Sequence, residues 1–408
     1  MRRVSFVALA AVLGVSMLAV GRSNAVSQPL LGVSKYGPAS ATRVLVLVPG
    51  SGGSGGSFSE IGPALVARVP NLQVWATDRR GDELADLRGF AAGEPASAYD
   101  YYFGRKQIAG RTFDANVATK HPEARGWGLP VALADRRRGG LAARAGGRRK
   151  VILGGHSIGA ATSLAYAAWD FDGRPGYRDL AGIVLIDGGE LGTFGTPTVA
   201  QARAGLAKLK GQPTPFSDRL GIGAPWIFGV LGQIAALYAL SAPDQPSVLA
   251  ANPLIPPQFR PPGSPTNADF FAFAAKAASI DVAHCGPTDA ARLVSSEPHT
   301  LTSWYYPSRL DVDLIGAASL RPDPVTRLLG LAAGLRHLAA IDVPLYAFAT
   351  GDVATTLAGA RAFLDRSHSP RSAAVLAKDG SLRHVDPLCV RFAKSRFLRT
   401  LVPWLAKR

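Results

Sequence analysis

Cysteine is scarce in this chain. Its 408 residues include only Cys285 and Cys389. Two cysteines at this separation cannot form a cysteine-ligated zinc or iron–sulfur pattern. We therefore predict no metal site.

Acidic residues are also few. Asp and Glu number 29 against 45 Lys and Arg, which gives a formal net charge of +16 and a pI near 10.2. Such a surface attracts nucleic acid, anionic lipid or acidic wall polymer. No nucleic-acid-binding motif accompanies the charge, so we attribute it to an arginine-rich composition and predict no nucleic-acid partner. Association with anionic envelope surfaces stays open.

A long uncharged apolar run lies near the start of the chain, at residues 4–20. Arg2 and Arg3 precede it and the small residues Ser23-Asn24-Ala25 follow it, which is the pattern of an export signal. We predict that residues 1–25 are a signal peptide and that the mature protein is secreted or held in the cell envelope. An uncut membrane anchor is the alternative, but the run is slightly short for a span.

Export would place the two cysteines in an oxidising compartment, where cysteines tend to pair. We predict a disulfide between Cys285 and Cys389, which would tie the middle of the chain to its C-terminal segment. Two buried thiols, which pack as small apolar side chains, are the alternative.

Short apolar runs rich in Val, Ile and Leu alternate with longer, alanine-rich helical stretches. The runs are continuous, as expected for strands that are buried on both faces. They occupy residues 44–48, 72–76, 151–153, 183–186, 345–349 and 373–376. This order predicts an α/β fold with a mostly parallel sheet flanked by helices.

The alternation is interrupted in the middle of the chain, where prolines cluster and no strand pattern is clear. We predict a core divided in sequence, with a first part at 26–190 and a second part at 323–408. The segment 191–322, here called the insertion segment, is predicted to form a cap over the sheet.

The central motif is Gly155-His156-Ser157-Ile158-Gly159, a G-x-S-x-G pattern between an apolar strand and an alanine-rich helix. A serine at so sharp a strand-to-helix turn has strained backbone and an exposed hydroxyl, and the helix N-terminus directs N–H groups at a developing oxyanion. We predict that Ser157 is a nucleophile. A glycine-rich turn that merely connects strand and helix is the alternative.

A second glycine-rich stretch, here called the glycine-rich loop, covers residues 49–56 and follows the apolar run at 44–48. An oxyanion hole needs one N–H from the residue after the nucleophile and one from such a loop. We predict the amides of Ile158 and of Ser51 or Gly52. A phosphate-binding loop is discounted because the G-K-[ST] ending is missing.

The general base is predicted to be His384, which follows the last strand run and precedes a terminal helix. His156 adjoins the nucleophile, but its side chain should point away from the serine hydroxyl. The remaining histidines lack a strand-end position: His121, His284, His299, His337 and His368.

The acid that orients the histidine is not unique in the sequence. Asp352 follows the run at 345–349 and Asp187 follows the run at 183–186. Both match the serine–acid–histidine order along the chain, and we prefer Asp352. Asp187 is the alternative, and Asp365 is a weaker third choice.

Together these residues resemble the α/β-hydrolase superfamily, and within it the secreted or envelope esterases and lipases. The resemblance covers 26–190 and 323–408, and the turn Asp78-Arg79-Arg80-Gly81 adds to it. It implies an eight-stranded sheet, a Ser–His–acid triad and no cofactor. One departure is the start of the glycine-rich loop, Pro49-Gly50, where His-Gly is commoner.

The sequence therefore predicts an exported serine hydrolase that cleaves carboxylic esters with a hydrophobic acyl or alcohol group. Its expected partner is a small-molecule or lipid-like ester. An acyltransferase with the same triad, or a catalytically silent binding protein on this fold, are the alternatives.

Overall fold

The structure is a computed structural model. It describes residues 31–189, 191–253, 255–278, 280, 282–295, 301–389 and 391–408. The predicted signal peptide at 1–25 lies outside these residues. Among the helices of the described ranges, none is long and apolar enough to cross a membrane.

The described residues form nine strands. They are β1 (Val33–Tyr36), β2 (Arg43–Val48), β3 (Leu72–Thr77), β4 (Lys150–His156), β5 (Asp170–Phe171), β6 (Arg174–Pro175), β7 (Gly182–Ile186), β8 (Leu345–Ala349) and β9 (Val375–Lys378). Seven of them make one sheet in the order β1-β3-β2-β4-β7-β8-β9, while β5 and β6 form a small separate hairpin. The edge strand β1 pairs antiparallel with β3, and the other pairings in the sheet are parallel.

The helices lie between and beyond these strands. They are α1 (Ile61–Val66), α2 (Pro95–Tyr102), α3 (Leu129–Arg144), α4 (Ile158–Ala168), α5 (Val199–Gly211), α6 (Trp226–Ser241), α7 (Asn267–Ala277), α8 (Pro287–Ser295), α9 (Ser308–Gly316), α10 (Pro324–Leu329), α11 (Thr356–Arg366), α12 (Asp386–Cys389) and α13 (Arg396–Ala406).

Successive side chains of a strand point to opposite faces of the sheet. Because these strands carry apolar side chains on both faces, helices cover the sheet on each side. In β2, Leu45 and Leu47 pack into the hydrophobic core that contains α13, while Val44 and Val46 pack into the core that contains α3 and α4. Strands buried on both faces need continuous apolar runs. Five of the six predicted runs lie within strands of this sheet, whereas the run at 373–376 begins two residues before β9 and shares only Val375 and Leu376 with it. The predicted α/β class is confirmed, but the described residues give seven strands where the resemblance implied eight.

Strands β7 and β8 are hydrogen-bonded neighbours, although residues 187–344 separate them in sequence. Helices α5–α9 all belong to the insertion segment, and its described residues contribute no named strand. The boundaries of that segment as a separate cap stay a prediction.

A disulfide joins the insertion segment to the C-terminal part of the chain. Cys285 is bonded to Cys389, with 5.8 Å between their Cα atoms, so the predicted pairing is confirmed and the two-thiol alternative is not. The buried carboxylate of Asp386 reinforces this junction by accepting the amide N–H groups of Ala283, His284 and Cys285 at 2.9–3.1 Å.

Candidate active site

Ser157 occupies the turn between β4 and α4. Its backbone has φ 56° and ψ −126°, a conformation that costs a non-glycine residue energy and that clusters at functional sites. A Cβ at Gly159 would overlap the carbonyl oxygens of Val48 and Pro49, so only glycine allows the helix to start this close to β2. The predicted strand–turn–helix is therefore present, with Ser157 at its tip.

The imidazole of His384 is oriented by the aspartate that follows β7. Its Nδ1 lies 2.6 Å from Oδ2 of Asp187. Asp187 is fully buried, whereas about a quarter of the His384 side chain is exposed (26%). A buried carboxylate on Nδ1 fixes the tautomer that leaves Nε2 free to accept a proton, which is the role of the acid in a Ser–His–acid triad.

Asp352, which the sequence favours as the acid, does not contact the imidazole. Its Oδ2 accepts the backbone N–H of His384 at 2.7 Å, and its Oδ1 accepts from the Arg383 guanidinium at 3.0 Å. The order of preference is therefore reversed: Asp187 holds the ring of His384 and Asp352 holds its backbone. Asp365, the third choice, forms an ion pair with Arg371 instead.

Thr350, the residue after β8, fixes the position of the Asp187 carboxylate. Its amide N–H donates to Oδ1 at 2.7 Å, and its hydroxyl donates to Oδ2 at 2.6 Å. Asp187 itself has φ 47°, so the chain turns sharply as it leaves β7. The buried charge is compensated by these two donors together with the imidazole.

His156 lies behind the site and supports the backbone of His384. Its Nε2 donates to the His384 carbonyl oxygen at 2.8 Å, and the centroids of the two imidazole rings are 4.4 Å apart. Burial, and then the proximity of His384, hold the pKa of His156 well below its usual range. His156 is therefore neutral and acts as a support, not as a base.

The glycine-rich loop lies beside Ser157. A Cβ on Gly50 would come within 3.1 Å of the Ser157 Cβ atom. Within the described ranges, the amide N–H groups of Ser51, Gly52 and Ile158 donate to no protein acceptor. The three predicted oxyanion donors therefore remain available, but which loop amide faces a substrate oxygen stays a prediction.

Backbone hydrogen bonds and the turn after β3 fix the shape of the loop. The Ser54 N–H donates to the Leu301 carbonyl at 3.0 Å, and the Ser303 N–H donates to the Gly52 carbonyl at 2.7 Å. On the other side, the buried Arg79 guanidinium donates to the carbonyls of Pro49 and Gly53, each at 2.5 Å. The insertion segment thus forms part of the wall of the site.

The carboxylate of Asp311, on α9, holds the side chain of Ser51. The Ser51 hydroxyl lies 3.1 and 3.2 Å from its two oxygens, and the Tyr306 hydroxyl donates to Oδ1 at 2.5 Å. Burial raises the pKa of Asp311 above its ordinary value. A second hydrogen bond from the insertion segment, from Arg219 to the Ser51 carbonyl at 3.1 Å, completes the attachment.

Ser157 and His384 line one cavity of about 680 Å³ that is open to solvent. No hydrogen bond joins the Ser157 hydroxyl to the imidazole in the described part of the chain, and such bonds often tighten only when substrate binds. The glycine-rich loop and Arg219 make one side of the cavity polar. The other side is apolar and is formed by Ala278, Ile280, Leu301, Val385 and Leu388.

A second cavity adjoins the first, with about 570 Å³ of empty space including its opening to solvent. The two cavities share Ala278, Ile280 and Thr302 in their walls. It lies mainly between α6, α7 and residues 255–259, and we call it the apolar chamber. Its lining is almost entirely hydrocarbon, with Phe228, Leu231, Phe259, Phe270 and Phe271 among the larger side chains.

The strand order, the serine turn at the end of β4 and the histidine after β9 match one known fold. The chain has the α/β-hydrolase fold. No protein-family model and no curated protein matches it.

Solved structures resemble the chain at low sequence identity. A putative lipase from Sulfolobus solfataricus is 16% identical, with a TM-score of 0.49 over 93% of this chain and 97% of that chain. A monoacylglycerol lipase from Paleococcus ferrophilus is 14% identical, with a TM-score of 0.40 over 92% of this chain and 98% of that chain. The thioesterase domain from the curacin biosynthetic pathway is 13% identical, with a TM-score of 0.42 over 92% of this chain and 94% of that chain.

Three residues of the site were missed by sequence reasoning: Thr350, Asp311 and Arg219. Thr350 could have been found, because it directly follows a predicted strand run and stands two residues before a candidate acid, Asp352. Asp311 and Arg219 carry no local signal, since each meets Ser51 across more than 160 positions of sequence.

Proposed function

We propose that this protein is a serine hydrolase that cleaves carboxylic esters with Ser157 as nucleophile, His384 as general base and Asp187 as the acid that orients it. One observation carries the proposal. The strained serine turn lines the same cavity as a histidine whose Nδ1 lies 2.6 Å from a fully buried carboxylate. The intact set of nucleophile, base and acid also argues against a silent binding protein.

In the first half of the reaction, the Ser157 hydroxyl attacks the ester carbonyl carbon while Nε2 of His384 takes its proton. The carbonyl oxygen becomes an oxyanion, which accepts from the Ile158 amide and from the Ser51 or Gly52 amide. As the tetrahedral intermediate collapses, the bond to the alcohol oxygen breaks and His384 returns the proton to that oxygen. An alcohol leaves and an acyl-serine remains.

In the second half, water replaces the alcohol. His384 removes a proton from the water as its oxygen attacks the acyl carbon, and the same donors stabilise the new oxyanion. The bond to the Ser157 oxygen then breaks, His384 protonates that oxygen, and the carboxylic acid leaves.

The apolar chamber supports a hydrophobic group on the substrate. It shares Ala278 and Ile280 with the apolar side of the catalytic cavity, so a hydrocarbon chain bound there would lie next to the serine site. Each buried methylene contributes about 0.8 kcal/mol to binding. We therefore propose esters with a hydrophobic acyl or alcohol group as the substrate class.

Secretion, or retention in the cell envelope, is also proposed. The disulfide between Cys285 and Cys389 supports it, because structural disulfides persist in oxidising compartments and are rare in the cytosol.

Hydrolysis of p-nitrophenyl esters of graded chain length tests the function. The wild-type protein should release p-nitrophenol, and Ser157→Ala should lower kcat by several orders of magnitude, with a residual rate from the oxyanion donors. Ser163→Ala is the matched control, because that hydroxyl donates back to the Gly159 carbonyl inside α4 and does not line the cavity. Near-normal turnover by a folded Ser157→Ala protein would refute the assignment. Adding an alcohol acceptor identifies a transferase, which would form a new ester.

A further inference from the structure

Arg219 is a cation at the edge of the catalytic cavity. It belongs to the non-helical stretch between α5 and α6, is exposed, and lines the same cavity as Ser157 and His384. Its guanidinium carbon lies 5.1 Å from the centroid of the Phe228 ring, and Phe228 lines the apolar chamber. Arg219 therefore lies where the polar catalytic cavity and the apolar chamber meet.

The glycine-rich loop is shaped to admit this guanidinium. Gly52 has φ 61°, and a Cβ at that position would overlap the Arg219 side chain. The guanidinium lies against the loop, and one nitrogen donates to the Ser51 carbonyl at 3.1 Å. Arg219 thus stands beside the two loop amides that are the candidates for the oxyanion hole.

Most of the hydrogen-bonding capacity of Arg219 is unused by the protein. A guanidinium has five N–H donors, and within the described ranges the Ser51 carbonyl is the one acceptor that Arg219 contacts. Arg79, on the other side of the loop, differs in that it donates to the carbonyls of Pro49, Gly50 and Gly53. The role of Arg79 is structural, whereas the free donors of Arg219 face a cavity.

The carboxylate near Arg219 does not neutralise it through direct contact. Asp311 accepts from the hydroxyls of Ser51 and Tyr306, and no ion pair joins it to Arg219 in the described part of the chain. Asp311 reduces the positive potential at the cavity edge but leaves the guanidinium donors open to a ligand.

We propose that Arg219 binds an anionic group of the substrate, a carboxylate or a phosphate, close to the scissile ester. A guanidinium fork matches the paired oxygens of either group and forms charge-assisted hydrogen bonds with them. The substrate is then an amphiphilic ester, with its hydrocarbon chain in the apolar chamber and its anionic group against Arg219. This inference rests on the proposed function, since it assigns the substrate class of the same site.

Three esters with one decanoyl chain test the proposal: O-decanoylglycolate, the decanoyl ester of 2-hydroxyethyl phosphate, and the neutral O-decanoylglycolamide. Release of decanoic acid gives kcat/KM for each. The wild-type protein should prefer one charged ester over the neutral one by about tenfold or more, and which one identifies carboxylate or phosphate. Arg219→Gln should bring that ratio close to one, and Arg219→Lys should retain part of it.

Arg203→Gln is the matched control. Arg203 is an exposed arginine of α5 in the same insertion segment and does not line the cavity, so its loss should leave the wild-type ratio unchanged. The proposal is overturned if the wild-type protein cleaves the neutral ester as well as both charged esters. It is also overturned if Arg219→Gln keeps the preference.

Binding to the inactive Ser157→Ala protein separates this proposal from the proposed function. Titration calorimetry with the same three esters should show tighter binding of a charged ester, and the added change Arg219→Gln should remove the difference. If no ester is cleaved but this Arg219-dependent binding is seen, the hydrolase assignment fails and the anion site stands. Equal affinity for charged and neutral esters overturns the anion site.

Discussion

The ends of β7 and β8 each carry an aspartate that binds His384, but the two aspartates hold different parts of it. Asp187 contacts the ring at Nδ1 and is fully buried. Asp352 accepts the backbone N–H, pairs with Arg383, and leaves 31% of its side chain exposed. Only the first contact acts directly on the proton of the imidazole, so similar residues at neighbouring strand ends serve different purposes.

The position of β7 in the sheet explains this difference. Strand β7 is the hydrogen-bonded neighbour of β4, and the Ser157 N–H donates to the Ile186 carbonyl at 2.9 Å. The residue after Ile186 is therefore beside Ser157, whereas β8 lies one strand farther away. The sharp turn at Asp187 and the two donors of Thr350 then direct its carboxylate at the ring.

Of the variants that test this difference, Asp187→Asn should lower kcat the most. The amide cannot hold the correct tautomer of His384, and the expected loss in kcat is on the order of 10⁴, as for the corresponding aspartate of serine proteases. Ester hydrolysis under saturating substrate measures it. A loss below about tenfold in a folded protein would show that Asp187 is not the acid.

Thr350→Val should produce a smaller loss. It removes one hydroxyl that donates to Asp187 but keeps the amide donor, so we expect kcat to fall by about 10- to 100-fold. Thr356→Val is a matched control, since the Thr356 hydroxyl is equally buried and has no hydrogen-bond partner in the described ranges. Equal losses in the two variants would mean that Thr350 acts only through packing.

Asp352→Asn should have a modest effect. The amide oxygen can still accept the His384 N–H, and the lost ion pair with Arg383 is half exposed, so kcat should fall by no more than about fivefold. If Asp352→Asn loses most of its kcat and Asp187→Asn does not, then Asp352 and not Asp187 orients the imidazole.

His156, which supports the His384 carbonyl, should affect stability through pH. Burial holds its folded-state pKa below the ordinary 6.5, so the unfolded chain binds the extra proton and stability falls as the pH drops below that value. His156→Gln keeps a donor for the carbonyl and removes this titration. Urea unfolding should show the wild-type protein losing up to about 1.4 kcal/mol more per pH unit than the variant below pH 6.5.

An identical pH dependence in the two proteins would contradict a buried neutral imidazole at position 156. A larger acid loss in the variant would contradict the sign of the pKa shift.

The sequence was sufficient for the parts of this protein that depend on local pattern. Continuous apolar runs specify strands buried on both faces, and five of the six lie within strands of the sheet, while the sixth overlaps β9 only at Val375 and Leu376. The serine turn was also predictable, because glycines at 155 and 159 between a strand and a helix leave few other conformations. His384 was singled out by its place after the last strand run.

Contacts between distant segments were not predictable in the same way. Asp187 and Asp352 both follow apolar runs, and only the strand order decides which of them lies beside Ser157. Prolines interrupt the sequence pattern of the insertion segment, so its helices could not be predicted. For the same reason, Asp311 and Arg219, which the segment contributes to the site, were not identified from the sequence. The disulfide was predictable from the predicted export and the cysteine count, but not from any geometry.

Covalent labelling tests the central claim, that Ser157 is an activated nucleophile, most directly. The full-length protein is treated with a fluorophosphonate, and the modified peptide is identified by mass spectrometry. We predict one phosphonyl group on Ser157, no labelling of Ser157→Ala, and much slower labelling of Asp187→Asn. Labelling on another residue, or a Ser157→Ala protein that reacts as fast as the wild type, would contradict the account.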